Sequence, residues 1–234
     1  SAASDVYKRQ SMHIADTELG ILGANGIVGG GFTLATGAAF SSMMLKTDKV
    51  CICFHGDGST AEGSFHEAMN IATLWNLPVV FVNENNLYAV SCRITNGMAN
   101  ENTADRAAGY AMPSEVVDGN DILAVCDAAK RAIDRARNGY GPTYIECKTY
   151  RWRGHFEGEP ENYRNPEEVK LWKQPDHDPI PRFEEYLKDN GVATDEDLKA
   201  VQEKVKGMVK EAVKFAAESS FPAKESALED VYTD

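Results

Sequence analysis

Apolar residues gather in two short continuous runs, "KVCICFHGD" and "LPVVFVNENN", separated by a stretch in which Phe65, Met69, Ala72 and Trp75 recur at helical intervals. Runs of this kind, bounded by charge and turn formers, predict strands buried on both faces, and the period between them predicts a helix. At its start, "STAE" gives Ser59 and Glu62 the spacing of a capping box, and Pro78 closes it. Residues Lys49 to Asn86 therefore read as a βαβ unit with two parallel strands, joined right-handedly by the general rule.

The same reading organises the rest. A glycine-dense stretch, "GILGANGIVGGG", feeds a helix from about Phe32 to Lys46, where Gly37, Ala38 and Ala39 suit close packing. "VDGNDILAVCDAAKRAIDRARNG" predicts a turn, an Asn or Asp cap and an amphipathic helix stopped by Gly139, and "GPTYIECKTYRW" a third strand. A loop rich in Gly, Pro and charge follows from Arg153 to Pro166, after which the chain turns helical and polar. In the last long helix Leu198, Val201, Val205, Met208, Ala212 and Phe215 form one apolar stripe, suited to docking on its own domain or on a partner subunit.

The expected fold class is thus α/β: a mostly parallel sheet flanked by helices, with a helical C-terminal appendage. Residues 1–10 have no periodicity and read as a non-native leader; 11–165 form the α/β domain and 166–234 the helical extension. There is no internal repeat.

Composition narrows the function. A formal charge of −12 argues against a nucleic-acid groove or an anionic membrane surface, either of which needs clustered Lys and Arg. No apolar run approaches the roughly 20 residues of a membrane helix, and no signal peptide is visible. The five cysteines, at 51, 53, 92, 126 and 147, show no CxxC pair or zinc spacing and read as buried free thiols in a reducing cytosol, Cys51 and Cys53 sharing one strand face.

The candidate chemistry lies where the two runs end. In a βαβ unit Asp57 and Asn86 fall at the carboxyl ends of neighbouring strands, the edge at which open α/β sheets bind ligands. Asp57 offers a carboxylate oxygen, Asn86 an amide oxygen, and the following turn a backbone carbonyl, most simply that of Tyr88. These hard donors with one formal charge suit Mg²⁺, which completes its shell with water and phosphate. Gly58 lets a phosphate approach, and the amides of Gly58 and Ser59 open a helix N-terminus that attracts anions. Either dipeptide alone is ordinary turn chemistry.

Together, GDG, the twenty-six residues from Ser59 to Glu84, and NN resemble the thiamine diphosphate signature. "SMHIADTELGILGANGIVGGG", "GDGSTAEGSFHEAMNIATLWNLPVVFVNENNLYAVS", "VDGND" and "TYRWRGHFEGEPENYRNPEE" extend the resemblance from Ser11 to about Ile180. They look like the α subunit of the first component of 2-oxo acid dehydrogenase complexes, and most like bacterial pyruvate or acetoin dehydrogenase α subunits, with branched-chain enzymes a poorer match.

The resemblance implies that Asp57, Asn86 and the Tyr88 carbonyl ligate Mg²⁺, that Gly58 and Ser59 meet the diphosphate, and that Gly26 and Val28 contact the aminopyrimidine. His155, with Arg151 nearby, would reach the mouth of the active site as the catalytic histidine. His55 and His66 read as packing or helix-surface residues, and His13 as a pocket-lining candidate. A β subunit would supply the glutamate that activates the aminopyrimidine, in an α₂β₂ heterotetramer that serves a lipoyl-bearing acyltransferase in the cytoplasm, with no turnover by this chain alone.

Two departures stand out. The segment that usually precedes "SMH", with a Tyr and an Arg that grip the cofactor, is not in this sequence. Phe156 stands where regulated eukaryotic relatives carry a phosphorylatable serine, so phosphate regulation there is not expected. A transketolase-like half would share the metal signature without the "TYRWRGH" loop. A nucleotide-binding module would need the GK[ST] that "GANGIVGGGF" lacks, and a structural subunit without cofactor would have damaged ligands.

Overall fold

The computed structural model describes residues 13–221 and 223–225, so the 1–10 segment lies outside the described residues. They divide into two compact units, Ile27–Tyr186 and the remainder, up to Gly26 and from Leu187.

The larger unit is built on four parallel strands in the order β1-β2-β6-β5. In chain order it contains α1 (Gly30–Met44), β1 (Cys51–Gly56), a 3₁₀ segment (Asp57–Ala61), α2 (Gly63–Leu74), β2 (Val79–Asn85), a hairpin of β3 (Tyr88–Ala89) and β4 (Cys92–Arg93), and one helical turn, α3 (Ile94–Gly97). A second 3₁₀ segment (Thr103–Tyr110), β5 (Ser114–Asp118), α4 (Ile122–Arg137), β6 (Thr143–Lys148) and α5 (Pro166–Trp172) follow, and α6 (Pro179–Asp189) begins at its end.

Alternation along β2 builds two cores. Val79 and Phe81 join Cys53, Tyr144 and the Phe32, Phe65 and Met69 side chains of α1 and α2 on one face. On the other, Val80 and Val82 join Val117, Ile145, Cys147 and the Ala128 and Ala132 side chains of α4. Asp121 caps α4, accepting from the amides of Leu123 and Ala124, and Gly139 leaves the helix at φ 77°.

The structure corrects several expectations. β1 is buried on one face only: Ile52 and Phe54 are 41% and 67% exposed, because α4 packs over β2, β6 and β5 and stops short of β1. The Ser59–Glu62 capping box does not form. A 3₁₀ segment intervenes, α2 begins at Gly63, and the Ser59 hydroxyl instead donates to the Gly56 carbonyl at 2.6 Å. Capping boxes occur at Asn102/Asp105 and Thr194/Asp197. Trp75 lies just beyond α2, half exposed, its ring 5.3 Å from that of Phe40. Of the free thiols only Cys53 and Cys147 are buried, while Cys92 and Cys126 are exposed. β5 was not expected.

The smaller unit contains α7 (Asp195–Glu218), whose predicted stripe lies exposed from Val201 onward with Leu198 half-buried, and a short bridge between Asp16 and Ile21. Among the described residues no helix is long and apolar enough to cross a membrane.

Candidate active site at the carboxyl ends of the sheet

The register pairs Gly56 with Glu84, so the chain leaves β1 and β2 on the same edge of the sheet, at Asp57 and Asn86. Asp57 is 4% exposed. Its carboxylate feels the backbone amides of Asp57 itself and of Asn86, and its Oδ2 has no partner. Burial pushes this carboxyl above its ordinary value, against the opposing pull of those two amides and of Arg151, with Glu146 adding to the rise. A buried carboxylate oxygen with an unspent lone pair is an invitation to a cation.

The two asparagines of the NN pair do different work. Asn85 is fully buried: its amide donates to Glu146 Oε1 at 2.6 Å, and its Oδ1 accepts from Leu87 N at 3.2 Å. Asn86 is half-buried, and its Oδ1 accepts from Tyr88 N at 3.2 Å, which leaves a second lone pair. Among the described residues no three His, Cys, Asp or Glu side chains cluster, so an ion here would rely on amide and carbonyl oxygens beside one carboxylate.

Gly58 has a tighter requirement than phosphate access, since a Cβ there would sit 2.5 Å from Ala89 Cβ. The hairpin thus rests directly on the DG turn. The Gly58 and Ser59 amides belong to the 3₁₀ segment, and the α-helix expected to start there begins at Gly63.

Beneath the edge runs a buried polar network that sequence reasoning missed. Thr103 Oγ1 donates to Asn83 Oδ1 at 2.9 Å, and Asn83 Nδ2 donates to the His55 carbonyl at 3.3 Å. Glu146 accepts from Asn85, from Ala104 N at 2.8 Å and from Lys148 Nζ at 2.8 Å. His55 packs between Phe32 and Tyr144 as expected of a packing residue, and burial pushes its imidazole down to about 4, so it is neutral.

Tyr88 is buried, and its carbonyl receives Arg151 Nη1 at a long 3.4 Å. Arg151 also donates to Val90 O at 2.7 Å and to the Tyr163 hydroxyl at 2.6 Å, tying the loop to the hairpin. Beside these groups lies a cavity of about 440 Å³, lined by Tyr88, Ser91, Arg93, Asn96, Tyr163 and Glu168. A separate hollow of about 590 Å³, lined by His66, Arg106 and Tyr110, includes none of the predicted ligands.

The structure therefore brings Asp57, Gly58, Asn86, Tyr88 and Arg151 together. Ser59 is buried in the same turn. His155 is exposed on its loop, its backbone amide donating to Glu159 Oε2 at 2.5 Å. Val28 is 61% exposed just before α1. Gly26 belongs to the smaller unit, where its amide donates to His13 Nε2 at 3.2 Å.

Residues 2–225 match the dehydrogenase E1 component family. The chain belongs to that family. Relatives include the α subunit of acetoin:2,6-dichlorophenolindophenol oxidoreductase from Bacillus subtilis, 48% identical over 96% of this chain and 67% of that protein. The α subunit of the same name from Cupriavidus necator is 42% identical over the same shares. The chloroplastic pyruvate dehydrogenase E1 component subunit alpha-3 of Oryza sativa is 38% identical over 96% of this chain and 54% of that protein. The chain thus spans between about half and two thirds of these relatives. As an E1 component chain it carries the family match well beyond Ile180, through the polar helices where no motif is conspicuous.

Proposed function

We propose that the chain is the α part of a thiamine diphosphate-dependent dehydrogenase that decarboxylates pyruvate or cleaves acetoin and passes the acyl group to a lipoyl-bearing acyltransferase. The observation that carries this reading is the buried Asp57 carboxylate, with an unpartnered oxygen, meeting Asn86 at the ends of two adjacent parallel strands. Family membership supports it, and relatives named for acetoin and for pyruvate support both substrates.

The residues fit the cofactor's metal. Asp57 Oδ2, Asn86 Oδ1 and the Tyr88 carbonyl would hold Mg²⁺, an all-oxygen set with one charge. The Gly58 and Ser59 amides would meet the diphosphate, and Val28 the aminopyrimidine. When bound, thiamine diphosphate supplies an electron sink for cleavage of a carbon–carbon bond beside a carbonyl. The protein's part is placement: Arg151 sets a positive charge beside Asp57, and His155 at the loop surface would orient the reacting groups. A β subunit in an α₂β₂ assembly would complete the pocket, in the cytoplasm.

Calorimetry of the assembled complex with thiamine diphosphate tests this. Heat only when Mg²⁺ is also present is the expected result, and equal binding in a chelator would overturn it. Turnover of pyruvate, acetoin and 2-oxoisovalerate with an artificial electron acceptor then identifies the substrate, activity on the last alone favouring a branched-chain enzyme.

A further inference from the structure

Tyr88 sits in a hairpin that does not hold itself. Each strand has two residues, and the residues on either side of Tyr88–Ala89, Leu87 and Val90, have φ of 71° and 54°. The left-handed region is costly for a β-branched side chain, and a lone two-stranded hairpin is marginal in water. Something outside the hairpin keeps it in place.

That something centres on one carboxylate. Glu168 Oε2 accepts from the Tyr88 hydroxyl at 2.9 Å and from the Tyr150 hydroxyl at 3.2 Å, and Glu168 Oε1 pairs with Arg93 Nη1 at 2.6 Å. One side chain in the first turn of α5 thus grips β3, β4 and the residue that leaves the sheet after β6. Above it Arg164 lies 6.0 Å from the ring centre of Tyr88 and 5.7 Å from that of Tyr150. At the near end of the loop Arg151 donates to the Val90 carbonyl. Both ends of the loop that carries His155 are therefore fastened to the hairpin that offers the Tyr88 carbonyl.

We infer that Glu168 is a positioning residue for the metal site: by clamping the Tyr88 ring and Arg93 it fixes where the Tyr88 carbonyl points. The inference rests on the reading of Asp57, Asn86 and Tyr88 as the metal-holding set. Glu168 is not itself one of the proposed metal-holding groups. Its contribution is to hold a backbone oxygen against the strain at Leu87 and Val90.

The test is Mg²⁺ titration of thiamine diphosphate binding, followed calorimetrically in the assembled complex. Glu168→Gln removes the charge and one acceptor, and Tyr88→Phe removes the hydroxyl that donates to Glu168 and accepts from Arg93 while leaving the backbone carbonyl. Each is expected to raise the Mg²⁺ concentration for half-maximal binding about tenfold, the size of one lost charge-assisted bond. The double variant should cost less than the sum of the two, since both act on the same cluster of Tyr88, Arg93 and Glu168. Lys170→Ala, which cuts only the exposed pair with Glu167 on the same helix, should leave the titration unchanged.

A merely structural Glu168 would lower melting temperature without moving the Mg²⁺ midpoint, and that result overturns the inference. Wild-type binding that needs no Mg²⁺ would instead overturn the metal reading itself. If Glu168→Gln does not assemble, Tyr88→Phe carries the same expectation, and an unmoved midpoint there is equally decisive.

Discussion

Asp57 and Asn86 follow two adjacent parallel strands at the same edge of the sheet, and the Asn86 backbone amide draws the Asp57 carboxyl down against the effect of its burial. That common edge is where a DG turn and an NN pair would act as one site. The Asp57 Oδ2 is buried and unpaired there.

An unpaired buried charge costs stability in the empty protein. Asp57→Asn is therefore expected to melt at or above the wild-type temperature without ligand, and to gain nothing from thiamine diphosphate with Mg²⁺. Differential scanning calorimetry in both states checks it; global unfolding of the variant would show that the carboxylate serves the fold.

Glu146 should govern part of the acid limb. Burial would raise its carboxyl, yet Lys148, the Ala104 amide and Asn85 hold it below the ordinary carboxylate value. A depressed folded value means that its stabilisation is present above the unfolded value and disappears as pH falls through the folded one. Glu146→Gln should lower stability by about 2 kcal/mol at neutral pH and flatten the fall of melting temperature in acid. Parallel curves for the two proteins would contradict it.

Gly58→Ala should cost about 1–3 kcal/mol by overpacking against Ala89. The φ of Gly58 is not positive, so the conflict is steric. Pairing it with Ala89→Gly should restore most of the loss, and denaturant unfolding of the four proteins in the cycle measures the coupling.

Thiol labelling of the folded chain should separate the cysteines. Cys92 and Cys126 are exposed, whereas burial pushes the Cys53 thiol up to about 12 and Cys147 up to about 11. Mass spectrometry should find the first two modified and the other two modified only after denaturation.

Much of this was legible in order along the chain. The apolar runs of β1, β2 and β6 and the capped periodicity of α4 are strong local signals, and the parallel pairing of β1 with β2 follows from the helix between them. β5 was hidden because Ser114–Asp118 has two valines, mostly uncovered faces and an immediate turn, so its sequence reads as the prelude to "VDGND". The 3₁₀ segment was hidden because "STAE" satisfies a helix-start pattern that tertiary contacts override: Ser59 turns back to Gly56 and His55. Asn83 and Asn85 sit in a central strand, where their residue type suggests a loop and only Thr103 and Glu146, distant in sequence, explain them. Glu168 carries no local signal for the same reason, its partner Tyr88 lying eighty positions away.

The half-covered β1 has a practical corollary. Among the described residues β1 is an edge strand, so its outer rim, beside the exposed Ile52 and Phe54, is a template on which another strand can zip. Purified by itself and concentrated, the chain should accrete into oligomers through that rim, and a lysine in place of Phe54 should keep it dispersed.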